Sequence, residues 1–241
     1  MKESPKKCSL LNKNIIEEFI SSDSFYTQYQ PIIVVETEEV YAYEALARFP
    51  YEGSHIAPDR VFEFCHHYPE LFFKLEYRVK QKQFGQRPQE KKLFVNFDPH
   101  IFLHKGGIND ILYLFSDKKD FVIELIENSH TCVNTNQLIH IFKRNDFIFA
   151  IDDFFKENSM ISISLLNCCD YLKLDKDILS ELKRNEAFFH IAEGIVQFAH
   201  TLHKKVILEG IEDSGDFAIA KRLNVDLIQG FYYKEKFIDS R

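Results

Sequence analysis

Eight short apolar runs, most of them separated by amphipathic stretches of helical length, limit what this chain can fold into more than any other feature. They are YQPIIVV (29–35), VYAYEALARF (40–49), KLFVNF (92–97), FVIELI (121–126), FIFAIDD (147–153), DYLKLD (170–175), KVILEG (205–210) and VDLIQGF (225–231). Helical periodicity falls between them at 59–67, 69–85, 134–144, 176–184, 186–204 and 213–223, the last with Asp213 or Ser214 as N-cap. Strands alternating with helices predict a mainly parallel sheet. Eight of them in 241 residues favour an α/β fold of (β/α)8 barrel type over an open sheet. The first two runs are joined only by ETEE (36–39), too short for a helical crossover, so this pair is expected to be an antiparallel hairpin.

Residues 1–24 read as a polar tail and a short helix carrying Ile15, Ile16, Phe19 and Ile20, and 25–241 as one barrel domain without repeat or linker. Phenylalanine supplies much of the core material, with 24 Phe and no Trp. The five cysteines (Cys8, Cys65, Cys132, Cys168, Cys169) form no CxxC pair and are odd in number, which fits a reducing compartment and a cytoplasmic protein. No secretory h-region and no apolar run near the roughly 18 residues of a membrane span are seen. A net charge of −7 without a basic stripe disfavours non-specific binding to long nucleic acid, whereas a small anionic ligand would need local cations or metal.

In a barrel the loops at the C-terminal strand ends form the active face. Polar residues gather there: Glu44 and Arg48, Asn96 and Asp98, Glu124 and Glu127, Asp152 and Asp153, Lys173 and Asp175, Glu209 and Glu212, then Gln229. Singly, each has an ordinary reading. A double Asp after a strand caps a helix, Glu124 pairs with a neighbouring Lys, and Lys173 snorkels outward. Together they put several carboxylates on one rim, which is prohibitive unless cations compensate them. Oxygen-rich ligation suits hard divalent ions, Mg²⁺ or Mn²⁺, more than zinc. Two such ions about 4 Å apart would make a hydrolytic centre acting on a phosphoryl group.

Glu44-Ala45-Leu46, followed in order by FVNFDP, VIELIENS, AIDDF, DYLKLD, ILEGIED and LIQGFYY, resembles the EAL domain family of cyclic di-GMP phosphodiesterases over roughly residues 28–236. The resemblance implies a modified (β/α)8 TIM-type barrel with one antiparallel strand. It implies a metal-dependent hydrolase, with Mg²⁺ or Mn²⁺ as two ions, opening cyclic di-GMP to linear pGpG. The process served would be a bacterial switch between motility and biofilm. Position by position, Glu44, Asn96, Glu124, Asp152 and Glu209 match metal ligands, and Asp153 matches the acid reaching the second metal. Lys173 matches the lysine that orients or deprotonates the water, and Glu212 an acid supporting the metal-water network. Arg48 matches the phosphate-binding arginine, with Gln30, Leu46 and Gln229 lining the substrate pocket. Glu127 matches the glutamate that anchors the loop after strand five. A homodimer and a regulatory protein partner would be the macromolecular partners.

The chain departs from the family after the second aspartate. Asp152-Asp153-Phe154-Phe155-Lys156-Glu157-Asn158-Ser159 stands where Asp-Asp-Phe-Gly, a small residue and Gly-Tyr-Ser-Ser is usual. Asp98 stands where Ser is usual, and Lys236 where Pro is. Three other readings stay open: a receptor that binds cyclic di-GMP uncut, a protein-interaction module, and a different metal-dependent barrel lyase or isomerase. His66 and His67 adjoin and His100 and His104 lie four apart, but no HExxH accompanies them, and packing is their expected role.

Overall fold

The computed structural model describes residues 11–88, 90–116, 118, 120–126, 135–156 and 163–240. β1 (Tyr26–Val34) and β2 (Val40–Tyr51) form the expected hairpin, with Gln30 opposite Glu44 and Tyr26 opposite Arg48. The connection is a tight turn in which Glu38 takes φ 57° and donates its amide to Val34 O at 2.9 Å. β2 also carries a short partner, β3 (Ser54–Ile56). β4 (Lys92–Phe97), β5 (Phe121–Ile126), β6 (Phe149–Phe154), β7 (Tyr171–Leu174), β8 (Lys205–Leu208) and β9 (Leu227–Gln229) then follow β2 in parallel register. β9 pairs antiparallel with β1, so eight strands close into a barrel in which β1 alone runs against both neighbours. A last short strand, β10 (Ile238–Asp239), pairs with the outer part of β1.

The helices are α1 (Lys13–Ser22), α2 (Pro58–His66), α3 (Pro69–Gly85), α4 (Gly107–Phe115), α5 (Thr135–Arg144), α6 (Ile163–Cys168), α7 (Asp177–Arg184), α8 (Ala187–Thr201) and α9 (Ser214–Leu223). Asn12 caps α1 by accepting the Ile15 amide at 3.2 Å, and Asp213 caps α9 through the Asp216 amide at 2.9 Å. Pro58 and Pro69 occupy the first turns of α2 and α3, where a missing N–H is harmless. α4 and α6 were not expected; Gly106-Gly107 reads as a turn, and α6 is only six residues long. No helix among the described residues is long and apolar enough to cross a membrane.

Two apolar cores result. The larger lies between barrel and helices and includes Ile15, Ile16 and Phe19 of α1, so the lead-in helix packs into the same core as the barrel. The smaller fills the barrel with one residue from each strand: Ile32, Ala42, Phe94, Val122, Ala150, Tyr171, Ile207 and Leu227. Burying a side chain such as Phe94, which is fully covered, contributes about 1.5–3 kcal/mol. Tyr171 brings a hydroxyl into this plug and satisfies it against Tyr41 Oη at 2.6 Å.

A candidate metal-dependent site above the barrel plug

Successive strand side chains point to opposite faces, so two residues beyond the plug is the next position facing into the barrel. Two steps along each parallel strand, and two steps back along the antiparallel β1, lie Gln30, Glu44, Asn96, Glu124, Asp152, Lys173, Glu209 and Gln229. Every residue in this ring is polar, and all are expected site residues. The apolar plug below and the polar ring above are consecutive layers of one barrel.

Lys173 is the hub. Its side chain is 1% exposed, and Nζ lies 2.6 Å from Glu124 Oε1, 2.8 Å from Glu209 Oε1, 3.0 Å from Asp152 Oδ1 and 3.3 Å from Glu44 Oε2. It does not snorkel outward. Glu44 is further held by Asn96 Nδ2, which donates to Oε1 at 3.1 Å, and by Gln229 Nε2, which donates to Oε2 at 2.5 Å. Gly230 permits that placement: a Cβ there would sit 2.1 Å from Ile211 O, so any larger residue would push β9 away from the segment after β8.

An ammonium has three N–H groups, and four carboxylates surround this one. The shortfall shows in the protonation preferences. Burial pushes the Glu44 carboxyl up, but Lys173 and the two amides outweigh it and hold the group below the usual glutamate range. Burial, with the charge of Glu44 added, drives Glu124 well above that range. Burial pushes Glu209 up to about 8, Asp152 and Glu44 adding to it against the pull of Lys173. Lys173 overcomes its own burial through Asp152, Glu124, Glu209 and Glu44 and is held firmly charged.

Asp153 reaches the rim by a different route. The β6–β7 ladder is irregular between Ile151 and Phe154, and Asp153 adopts φ 59° there, turning it out of the alternating register. Phe155 follows at φ 73°, in the left-handed region where glycine is favoured. Lys156 closes the turn, its amide donating to Asp153 O at 3.0 Å and its Nζ to Asp153 Oδ2 at 2.7 Å. Burial and the charge of Asp152 raise the Asp153 carboxyl above its usual value.

Leu46 and Arg48 continue the inward positions of β2 above Glu44, both partly covered. Arg48 is held by Gln28 Oε1, to which Nε and Nη2 donate at 3.2 and 2.9 Å, and by Ala47 O at 3.1 Å. Gln28 in turn donates to Asp239 Oδ1 at 2.8 Å. The sequence reading missed Gln28, although the two-residue period that places Gln30 also points to it. Glu212 is exposed; its amide donates to Asp216 Oδ2 at 3.1 Å, and no bond or ion pair among the described residues ties its carboxylate to the ring. Glu127 lies outside the described residues, as do Glu157, Asn158 and Ser159.

The donor set fits a divalent ion. Glu124 Oε2 and Gln229 Oε1 are buried and have no hydrogen-bond partner among the described residues. Orphaned buried oxygens cost about 1–3 kcal/mol each, more when charged. Carboxylate and amide oxygens without sulfur are what hard cations select.

Known proteins show what the chain as a whole is similar to. The chain is 24% identical over 236 residues to the oxygen sensor protein DosP of Escherichia coli, covering 90% of this chain and 29% of that protein. It is 23% identical to the probable cyclic di-GMP phosphodiesterase PdeB of the same organism, covering 91% and 44%. It thus spans less than half the length of these two curated relatives. Among solved structures, the Bacillus subtilis YkuI protein, with an EAL domain and in complex with c-di-GMP and calcium, superposes with a TM-score of 0.76 at 22% identity, covering 93% of this chain and 58% of that one. An EAL domain protein from Listeria monocytogenes superposes at 0.74 and 22% identity, covering 93% of both chains. At such identities these likenesses carry the fold. The sequence pattern of the EAL domain matches residues 13–236, from α1 to beyond β9 and through every strand of the polar ring, and the chain belongs to the EAL domain family.

Proposed function

We propose that this chain is a divalent-metal-dependent phosphodiesterase that hydrolyses cyclic di-GMP to linear pGpG. The observation that carries the reading is the closed ring of polar side chains one inward step above the plug, with four carboxylates around a single lysine. Relatives named as cyclic di-GMP phosphodiesterases, and neighbours solved with c-di-GMP and calcium or manganese, support it.

In this reading Glu44, Asn96, Glu124, Asp152 and Glu209 hold one Mg²⁺ or Mn²⁺, and Asp153 faces a second. Bound there, such ions acidify water and stabilise charge developing on a phosphoryl group. Lys173, charged, would orient the attacking water by donating a hydrogen bond to its oxygen. Arg48, pre-aimed by Gln28, clamps a phosphate through its planar fork. Gln30, Leu46 and Gln229 line the guanosine pocket, and Glu212 acts on the water network from the rim. Water oxygen would bond to phosphorus as the P–O3′ bond breaks; O3′ leaves as a hydroxyl, taking up the proton that the water gives up, and the 5′-phosphate of pGpG remains. A cytoplasmic setting, self-association and a regulatory protein partner belong to the same reading.

The test is chromatography of cyclic di-GMP incubated with purified protein and Mg²⁺ or Mn²⁺, with Glu44→Ala alongside. The proposal expects pGpG from wild type with metal and a loss of at least about 100-fold in the variant. Full activity in Glu44→Ala would remove Glu44 from the site. The Lys156–Asp153 pair favours one second reading, a receptor that binds cyclic di-GMP without cutting it, because a lysine then occupies the acid meant for the second ion. Binding without pGpG would select it.

A further inference from the structure

His66, Asp98 and His100 come from two places: the last residue of α2, and the 3-10 turn Pro99–Leu103 after β4, which Asp98 caps. His66 Nε2 lies 2.6 Å from Asp98 Oδ2, and His100 Nδ1 lies 2.8 Å from Asp98 Oδ1. One ligand atom from each of the three falls within 4.8 Å of the others. The side chains are 25%, 23% and 25% exposed, which leaves a path to solvent on one side. We propose that these three residues form a second metal site, separate from the carboxylate ring, that takes a borderline divalent transition ion of the zinc class.

The chemistry differs from that of the ring. Two imidazole nitrogens and one carboxylate are a nitrogen-rich set that zinc, cobalt, nickel or copper prefer and magnesium does not. One carboxylate carries a single negative charge for two imidazoles stacked at 3.5 Å and 12°. A bound ion takes both rings neutral, each keeping its proton on the far nitrogen, and uses the carboxylate's charge directly. With the rings nearly parallel, ligation requires one imidazole to swing about its Cβ–Cγ bond so that its lone pair points at the ion. Three protein ligands leave a fourth position for water.

Position gives the site a consequence. Asp98 follows the last residue of β4 and caps the 3-10 turn, and both imidazoles lie against Phe72 of α3. An ion here would tie the end of α2 to the exit of β4. The pairing also contradicts sequence spacing: His100 meets His66, whereas His104, four residues on, bonds Glu70 Oε1 at 2.9 Å and stacks on Phe73.

Equilibrium dialysis against ZnCl₂, with zinc counted by atomic absorption, tests the proposal on wild type, Asp98→Ser and His100→Gln. Serine at 98 keeps an oxygen to cap the 3-10 turn, so the fold is expected to survive. The proposal expects each variant to hold one zinc equivalent fewer, or to bind that equivalent at least about tenfold more weakly. Equal stoichiometry and affinity in folded variants would overturn it. Should both variants misfold, Cu²⁺ electron paramagnetic resonance of wild type decides. Superhyperfine structure from two nitrogens supports the site, and its absence at one equivalent overturns it, since the carboxylate ring offers no imidazole.

Discussion

Lys156 Nζ lies 2.7 Å from Asp153 Oδ2, across a turn whose central backbone is held at positive φ by Asp153 and Phe155. The residue that alters this loop relative to the family therefore also supplies a cation to the aspartate expected to reach a second metal. Asp153 pulls the Lys156 ammonium above its usual pKa despite partial burial, so the lysine is charged throughout the working pH range. In the proposed reading, metal and lysine would compete for one carboxylate.

Removing the competitor should strengthen metal binding. Lys156 is 44% exposed, so the pair is worth no more than a surface ion pair. Lys156→Ala is expected to tighten the weaker of two Mn²⁺ binding steps by about two- to fivefold. Isothermal titration measures it, and identical isotherms for wild type and variant would dismiss the competition.

Phe155 tests the backbone. At φ 73° a residue with a Cβ costs about 1 kcal/mol relative to glycine. Phe155→Gly should therefore be more stable than Phe155→Ala by about 1 kcal/mol, the reverse of what lost side-chain surface alone predicts. Urea denaturation of the two variants settles the order.

The ring makes the metal-free protein sensitive to pH. Glu209 holds its proton up to about 8 in the folded state, because burial, Asp152 and Glu44 raise it, whereas an unfolded glutamate titrates near ~4.3. Between those values the folded state binds more protons, so stability falls as pH rises. Glu124 shifts in the same direction. Glu44, held low, adds stability that is lost only at more acidic pH. In EDTA, Tm should decline from pH 5 to pH 8 by about 2–4 °C for each kcal/mol lost, and saturating Mg²⁺ should flatten the slope. A rising Tm in EDTA would contradict the assignment.

Gln28 holds Arg48 by two hydrogen bonds to one oxygen. Gln28→Ala leaves the guanidinium charged but unaimed. It should weaken cyclic di-GMP binding by about tenfold, consistent with hydrogen bonds to a charged group worth about 1.5–3 kcal/mol, and leave metal affinity unchanged. Fluorescence polarisation with a labelled dinucleotide reads the first, and Mn²⁺ titration the second. Loss of both would make Gln28 a structural residue of β1.

The sequence by itself determined the eight barrel strands, the hairpin at the start and the residues of the polar ring, but not the short strands β3 and β10. Each depends on local pattern: runs of apolar residues, a four-residue connection, and a polar side chain two places beyond an apolar one. Tertiary structure decided what those residues meet. Closure of β9 on β1 brings Gln229 to Glu44 across 185 residues of sequence, and Lys173 to the same carboxylate across 129. The grip of Gln28 on Arg48 appears only when β1 and β2 align in register. The Lys156–Asp153 pair needs departures from ordinary backbone conformation at both Asp153 and Phe155, which composition does not announce. His66 and His100 meet only because α2 packs beside the exit of β4. Side-chain alternation is a property of neighbouring residues and can be read along the chain. Which charges share a cavity depends on how the barrel closes, and that is a property of contacts between distant ones.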